Sequence, residues 1–310
     1  MESQHRQAPI APLIVIAMGI LAVSTASIFI RYAQEYAPSL VIAAWRLSLA
    51  TLVLSPFALT RRRPEIRSLN RGELGLAALS GIFLALHFAT WITSLEYTTV
   101  ASSVVLVSTI PLWVALFSPF FLKEPLSRII WIGMALAMLG GVIVGISDTC
   151  SLQGARLTCP SLSEFVKGKA FLGDLLALAG AIAGAAYLII GRRLRGKFSL
   201  LTYIFLVYGM AAIGLIIIMF GFGHSPTSYP PITYLWFLCL ALIPQLLGHS
   251  SFNWALRYLS AAYVSITLLG EPIGSTILAY FLLGEIPSTM KIIGAILILT
   301  GIYVASKNQA

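Results

Sequence analysis

The chain has 310 residues, of which 58% are apolar and only 10% charged, with a mean hydropathy of +0.92. A soluble domain carries about 25% charged residues, so too few charges remain here to cover the surface of a water-soluble globule. The net charge of +9 does not mark a nucleic-acid binder, because the basic residues sit in short loops between apolar blocks, where they set membrane topology.

In chain order the apolar blocks predict ten helical spans, at 10–31, 38–60, 73–93, 97–121, 128–147, 170–191, 199–221, 232–257, 261–283 and 288–306. Most near or reach the roughly 20 residues a helix needs to cross the hydrocarbon core. Helices are the expected element, because unpaired backbone groups are costly in lipid. The first nine residues lack the layout of a cleaved signal and are expected to be a cytoplasmic tail, with the first span retained. The fourth span opens on polar TTVASS (98–103), and the eighth contains Pro244, Gln245, His249 and Asn253. Both read as helices lining an interior rather than facing lipid.

Lys and Arg set the orientation. With the amino terminus inside, the richest segments, RRRPEIRSLNR (61–71) and GRRLRGK (191–197), are also inside. The exterior holds Arg31, Arg156, Lys167, Lys169 and Lys291. This bias predicts a multi-pass protein of the cell membrane with both termini cytoplasmic.

A shift of 161 residues superposes the two halves. It pairs Gly19 with Gly180, Arg31 with Arg192, Tyr97 with Tyr258, Pro111 with Pro272, Glu124 with Glu285, Gly133 with Gly294 and Gly140 with Gly301. Apolar matches between membrane helices mean little, but Pro, Glu and Gly matched at one offset point to duplication. The expected organisation is a tail (1–9), a first repeat (10–147), an exterior loop (148–169), a second repeat (170–306) and a tail (307–310). Five spans per repeat is an odd number, so the second copy enters the membrane the opposite way round. The fold class is therefore all-α integral membrane, ten transmembrane helices as two inverted five-helix repeats. That layout belongs to secondary transporters, with a site near the midplane.

These features resemble the drug/metabolite transporter superfamily, EamA type. The resemblance is carried by ALRYLSAAY (255–263), by the Pro111/Glu124 and Pro272/Glu285 spacing, and by the glycines at 133, 140, 294 and 301. It covers nearly the whole chain in two copies, with LKEP in the first where the second has LGEI. It implies a ten-helix carrier with cytoplasmic termini, a central cavity lined by helices 1–4 and 6–9, and export of small metabolites such as amino acids.

Polar residues within spans are the candidate site. Glu271 lies ten residues into the ninth span, roughly 15 Å from its inner end. Pro272 follows it and is expected to free a carbonyl near Leu268. Tyr263, Thr267, Glu271 and Ser275 recur at steps of four, as a lining stripe would. A carboxylate there could take a proton, an ammonium group or an Arg; the structural alternative is a locked ion pair or a hydrogen-bonded neutral acid. Arg46, some 12 Å deep in the second span, could clamp a substrate carboxylate, pair with Glu271 or snorkel outward. Gln245, His249 and Asn253 recur at steps of four, with His249 expected toward the inner end. His87 and Trp91 share a face toward the outer end. Trp45 and Trp91 could stack on a ligand or anchor at the interface. Cys150 and Cys159 in the exterior loop could form a disulfide, leaving Cys239 within a span.

No zinc-type histidine motif, mid-membrane lysine or phosphate-cradling glycine loop occurs. The expectation is a carrier with no enzyme activity, cofactor or metal. Its partners would be a small-molecule substrate, the lipid bilayer and, as coupling ion, the proton. Oligomeric state is open. A sugar-phosphate or nucleotide-sugar exchanger is the weaker transporter reading, and a non-transporting receptor or scaffold the other class.

Overall fold

The computed structural model describes residues 9–121, 128–147, 150–153, 156–158, 168–259 and 261–306. The helices, in order, are α1 (Pro12–Ser24), α2 (Ala26–Gln34), α3 (Ser39–Arg61), α4 (Arg63–Arg67), α5 (Arg71–Tyr97), α6 (Val100–Val107), α7 (Ile110–Phe121) and α8 (Arg128–Ser147). After a short antiparallel hairpin, β1 (Ser151–Gln153) and β2 (Arg156–Thr158), come α9 (Lys169–Arg195), α10 (Leu200–Gly221) and α11 (Pro231–Leu240). A π-helical segment (Ala241–His249) leads into α12 (Ser250–Ala255). The chain closes with α13 (Ala261–Thr267), α14 (Gly270–Leu283) and α15 (Thr289–Ser306).

Eight helical stretches among the described residues are long and apolar enough to cross a membrane, and two shorter apolar helices lie within α8 and α15. The distribution of side chains points the same way. Leu21, Phe281 and Ile286 are over 70% exposed, while Arg46, Gln245 and Asn253 are at most 1% exposed. In water that arrangement would be costly twice over. In lipid it removes polar groups from contact with the acyl chains.

The expected spans need correction at their ends and in their middles. The third runs over α5 to Tyr97, so Tyr97 closes that helix rather than opening the next. The first continues through α2 to Gln34, and the sixth through α9 to Arg195. Four of the long stretches are interrupted near their midpoints. Pro12–Gln34 breaks at Thr25, Val100–Phe121 at Ser108–Thr109, and Ala261–Leu283 at Leu268–Leu269; Pro231–Ala255 widens into the π segment. The causes are legible. Pro111 and Pro272 lack an N–H for the preceding turn and sit comfortably in the first turn of a new helix, so the chain restarts just ahead of each. Pro244 lies inside the π segment, where wider winding accommodates its missing donor.

Paired helices build the bundle. α5 packs along α9, α3 and α5 along α10, α1 along the π segment, and α8 along α15. Glycines permit the tightest crossings. A Cβ at Gly140 would lie 2.6 Å from the Gly294 carbonyl oxygen, and one at Gly301 2.5 Å from that of Gly133. The backbones of α8 and α15 are therefore in direct contact.

Each end of the bundle is clasped. At the end holding the Arg-rich loops, Glu65 accepts hydrogen bonds from the Ser199 backbone N–H (2.6 Å), the Ser199 hydroxyl (2.7 Å) and the Thr202 hydroxyl (2.8 Å), capping α10. Lys197 pairs with Glu73 at 3.0 Å. At the opposite end Glu285 pairs with Arg31 at 3.3 Å and accepts from the Val100 N–H at 2.9 Å. Arg31 also donates to the Thr98 carbonyl at 3.0 Å, as Arg192, its match at the 161-residue shift, donates to the Leu256 carbonyl at 2.6 Å.

Partial burial pushes the Glu65 carboxyl up, but the three hydrogen bonds and the charge of Arg62 outweigh it and hold the group below its ordinary 4.5. Folding thus favours the charged form. Its stabilising contribution is present above pH 4.5 and lost as pH falls below it. Glu65→Gln should lower the melting temperature of the detergent-purified protein at neutral pH and flatten the acid limb of the stability profile. An unchanged acid limb would count against this assignment.

Candidate functional site

The polar groups converge where α3, α5 and the π segment meet. Arg46 is fully buried in α3. Its Nε donates to Gln245 Oε1 at 2.9 Å, and its guanidinium lies 4.2 Å from the centre of the Phe88 ring. Its Nη1 and Nη2 are buried without a hydrogen-bond partner. Snorkelling, one of the sequence alternatives, is thereby excluded in this conformation. Gln245 Nε2 lies near the Tyr208 hydroxyl but short of hydrogen-bonding geometry.

Glu271 sits in the first turn of α14, just past the break. Its backbone N–H donates to the Leu268 carbonyl at 2.9 Å, so the carbonyl expected to be free there is occupied by a tight turn. The break also ends the regular four-residue stripe. Ser275 is buried and donates to the Ser24 carbonyl at 3.1 Å, tying α14 to α1. Thr267 turns back to the Val264 carbonyl, and Tyr263 is half-buried on α13. Glu271 is only half-buried, and its carboxylate makes no hydrogen bond or ion pair with any described residue. It is nonetheless the ionisable group with the largest charge interaction on Arg46. The two are neighbours electrostatically without being an ion pair within 4.0 Å.

The two histidines were expected at opposite ends and are instead neighbours, with ring centroids 6.4 Å apart. α5 is longer than predicted, and a π segment advances less per residue, so His249 lies less deep along its helix than an α-helix would put it. His87 Nδ1 bonds the Gly180 carbonyl at 2.8 Å, and its ring stacks on Trp91. His249 meets the Phe88 ring edge-on, with centroids 5.2 Å apart. Trp91 is buried, and its Nε1 has no hydrogen-bond partner. Trp45 is drawn elsewhere: its Nε1 donates to the Pro226 carbonyl at 2.8 Å and its ring stacks on Phe237, anchoring the loop after α10.

Asn253 belongs to a second polar group running from the π segment toward the Arg-rich end. Tyr187 donates to Asn253 Oδ1 at 2.8 Å, and Asn253 Nδ2 donates to the Tyr208 hydroxyl at 3.2 Å. The Tyr203 hydroxyl is 3.3 Å from Ser80. Arg195, 1% exposed, donates from Nε to the Asn253 carbonyl at 2.9 Å and also bonds the Phe198 carbonyl.

Sequence reasoning passed over Phe88, Tyr203, Tyr208, Asp174 and Arg195. The two charged residues carried a signal. Asp174 lies inside the predicted sixth span and is 6% exposed; Arg195 closes the helix that overran that span's predicted end. Cys150 is disulfide-bonded and Cys239 is free, while Cys159, the expected partner in the exterior loop, lies outside the described residues, as does Glu124. No group of three or more His, Cys, Asp or Glu residues able to hold a metal occurs among the described residues.

The comparisons with known proteins bear on this geometry. The model of the EamA-like transporter family matches twice, over residues 10–146 and again over 171–307. The chain belongs to the EamA-like transporter family. Its membership makes the buried polar centre and the exposed apolar belt those of a multi-pass membrane transporter. Among curated relatives, an uncharacterized transporter of Archaeoglobus fulgidus is 24% identical over 299 residues, covering 96% of this chain and 97% of the relative. Uncharacterized transporter YyaM of Bacillus subtilis is 24% identical over 279 residues, covering 89% and 87%. One solved structure, described only as the crystal structure of a protein, shares the fold with a TM-score of 0.66 at 17% identity, covering 96% of this chain and 97% of that one.

Proposed function

We propose that this EamA-like chain is a secondary-active carrier that exports a small metabolite carrying a carboxylate, such as an amino acid, with protons as the coupling ion. In this reading it lies in the cell membrane with both termini cytoplasmic. Ten spans form two five-helix repeats inserted in opposite senses, and these alternate access to a site between them.

The observation that carries the reading is a buried, incompletely bonded Arg46 within the electrostatic influence of a half-buried Glu271 that makes no ion pair with any described residue. Charges in the membrane interior are retained where they serve a substrate or ion path. The guanidinium offers a fork of donors to a carboxylate. Glu271 offers an acceptor to an ammonium group or to a proton. Phe88, Trp91 and His249 supply flat surfaces nearby. Two facts support the duplication: the family model fits twice, and the helix breaks ahead of Pro111 and Pro272 fall within one residue of equivalent positions under the 161-residue shift.

The test is transport in proteoliposomes. Vesicles holding the purified protein should accumulate at least one labelled amino acid above protein-free vesicles when a pH gradient is imposed, and lose that accumulation when an ionophore collapses the gradient. No uptake of any standard amino acid, with or without a gradient, would defeat the amino-acid reading.

A further inference from the structure

We infer that Arg46, held by Gln245, forms a binding site for a small monovalent anion: a halide between transport events, displaced by the carboxylate of the substrate. The inference deepens the carrier reading by fixing the charge on the substrate's recognised group. It rests on that reading only for the substrate's identity, not for the existence of the site.

A guanidinium has five N–H bonds and cannot shed its charge. One of the five, on Nε, is used by Gln245 Oε1 at 2.9 Å. The other four, on Nη1 and Nη2, have no acceptor, and both nitrogens are buried. Leaving such groups unbonded in a low-dielectric interior is among the costlier arrangements a fold can hold. No acceptor among the described residues lies within hydrogen-bond distance of them. Glu271 stands beyond ion-pair distance, and His87 Nδ1 is occupied by Gly180.

The surroundings fix where an anion goes. The Phe88 ring stands against the guanidinium at 4.2 Å, and the negative face of an aromatic ring excludes an anion from that side. Gln245 fixes the Nε edge. The edge that remains carries the unbonded nitrogens in one plane, the geometry that takes a carboxylate through two parallel hydrogen bonds or a halide between two donors; no water-sized space touches them in this conformation, so an anion enters only as the surrounding helices part. Gln245 Nε2 is likewise buried without a hydrogen-bond partner. Glu271 supplies the opposing charge nearby. The combination favours a monoanion, or the carboxylate end of a zwitterion, over a phosphate dianion, which would be repelled by Glu271 and met by one cation.

The experiment is binding, measured without transport. The purified full-length protein in detergent is titrated with sodium chloride, and separately with sodium acetate, against sodium sulfate, a dianion, at constant ionic strength, and its melting temperature is followed. A saturable rise with either anion supports the site: with chloride it identifies the free halide as a ligand, and with acetate the carboxylate. No rise with either overturns it. Arg46→Gln should abolish the rise. Should that variant fail to yield folded protein, Gln245→Leu retains the cation but releases its Nε, and should move the midpoint to about tenfold higher anion concentration, the loss of one charge-assisted hydrogen bond. A midpoint unchanged in the variant that folds overturns the inference. Saturable anion binding in a protein that moves no amino acid would leave this inference standing and the amino-acid reading fallen. Amino-acid transport without anion binding would do the reverse.

Discussion

Glu271→Gln should abolish gradient-driven transport while leaving a folded, membrane-inserted protein. The substitution keeps the shape of the side chain and removes its charge and its titratable proton. Folding should tolerate it, because the carboxylate makes no hydrogen bond or ion pair with any described residue. Neutralising it breaks no hydrogen bond but withdraws the charge that faces the buried Arg46, so the protein should still fold, with a melting temperature at or below that of the parent protein. Transport should respond far more strongly, since a glutamine can neither carry a proton nor neutralise an ammonium group. Gradient-driven flux is expected to fall to the level of protein-free vesicles, about a hundredfold or more if the group carries the coupling ion. Exchange of labelled for unlabelled substrate, which needs no net proton movement, separates the two roles. Exchange retained in the variant identifies Glu271 as the proton carrier, and exchange lost identifies it as a substrate contact. Wild-type driven flux would remove Glu271 from the mechanism.

The second large effect is on stability. Gly301→Ala adds a single methyl group, yet that atom would lie 2.5 Å from the Gly133 carbonyl oxygen and 2.6 Å from the Ala137 backbone nitrogen. Both neighbours are main-chain atoms, so no side chain can swing aside. The added atom must push α15 away from α8, and the loss spreads along the seam, because Gly140 and Gly294 meet on the same interface. Close approach of small residues is a main source of attraction between helices in lipid, where burial of apolar surface supplies little. Overpacking of this kind costs about 1–3 kcal/mol, enough to lower the melting temperature by several degrees and the yield of folded protein with it. Gly75→Ala, on the exposed face of α5 with nothing within 4 Å of the added carbon, is the control and should leave both unchanged or slightly raised. Equal stability of the two variants would contradict the seam.

Much of the scaffold was readable before any coordinate. Composition gave the solvent, the length of the apolar blocks gave helices, and paired Pro and Gly at one offset gave the repeat. Pro111 and Pro272 stood out as a matched pair, but the helix breaks ahead of them and the turn that closes on the Leu268 carbonyl were not expected from the sequence. The site was less legible. Arg46, Glu271 and Gln245 stood out because a charge or amide within an apolar run is conspicuous. Phe88 did not, because an aromatic residue among apolar neighbours carries no local sign of standing under a guanidinium. His87 and His249 were placed at opposite ends because counting residues along a helix assumes a uniform rise, which the π segment does not keep. Trp45 is adjacent to Arg46 in sequence but about 100° further round its helix, where Pro226 holds it. Such facts depend on how separate helices meet, and periodicity within one helix is silent about that.

The four interrupted helices have a mechanical consequence. A continuous α-helix resists bending because every turn is tied to the next by a ladder of hydrogen bonds. A helix cut near its centre behaves as two stiff rods joined in series, and its compliance is that of the joint. In this bundle α3, α5, α9 and α10 are uninterrupted, while joints occur at Thr25, at Ser108–Thr109, along the π segment and at Leu268–Leu269. Strain imposed on either end of the molecule is therefore concentrated at those joints, with Glu271 two residues beyond one of them and Gln245 within another. The groups proposed to hold the cargo would be the first to register a deformation of the frame.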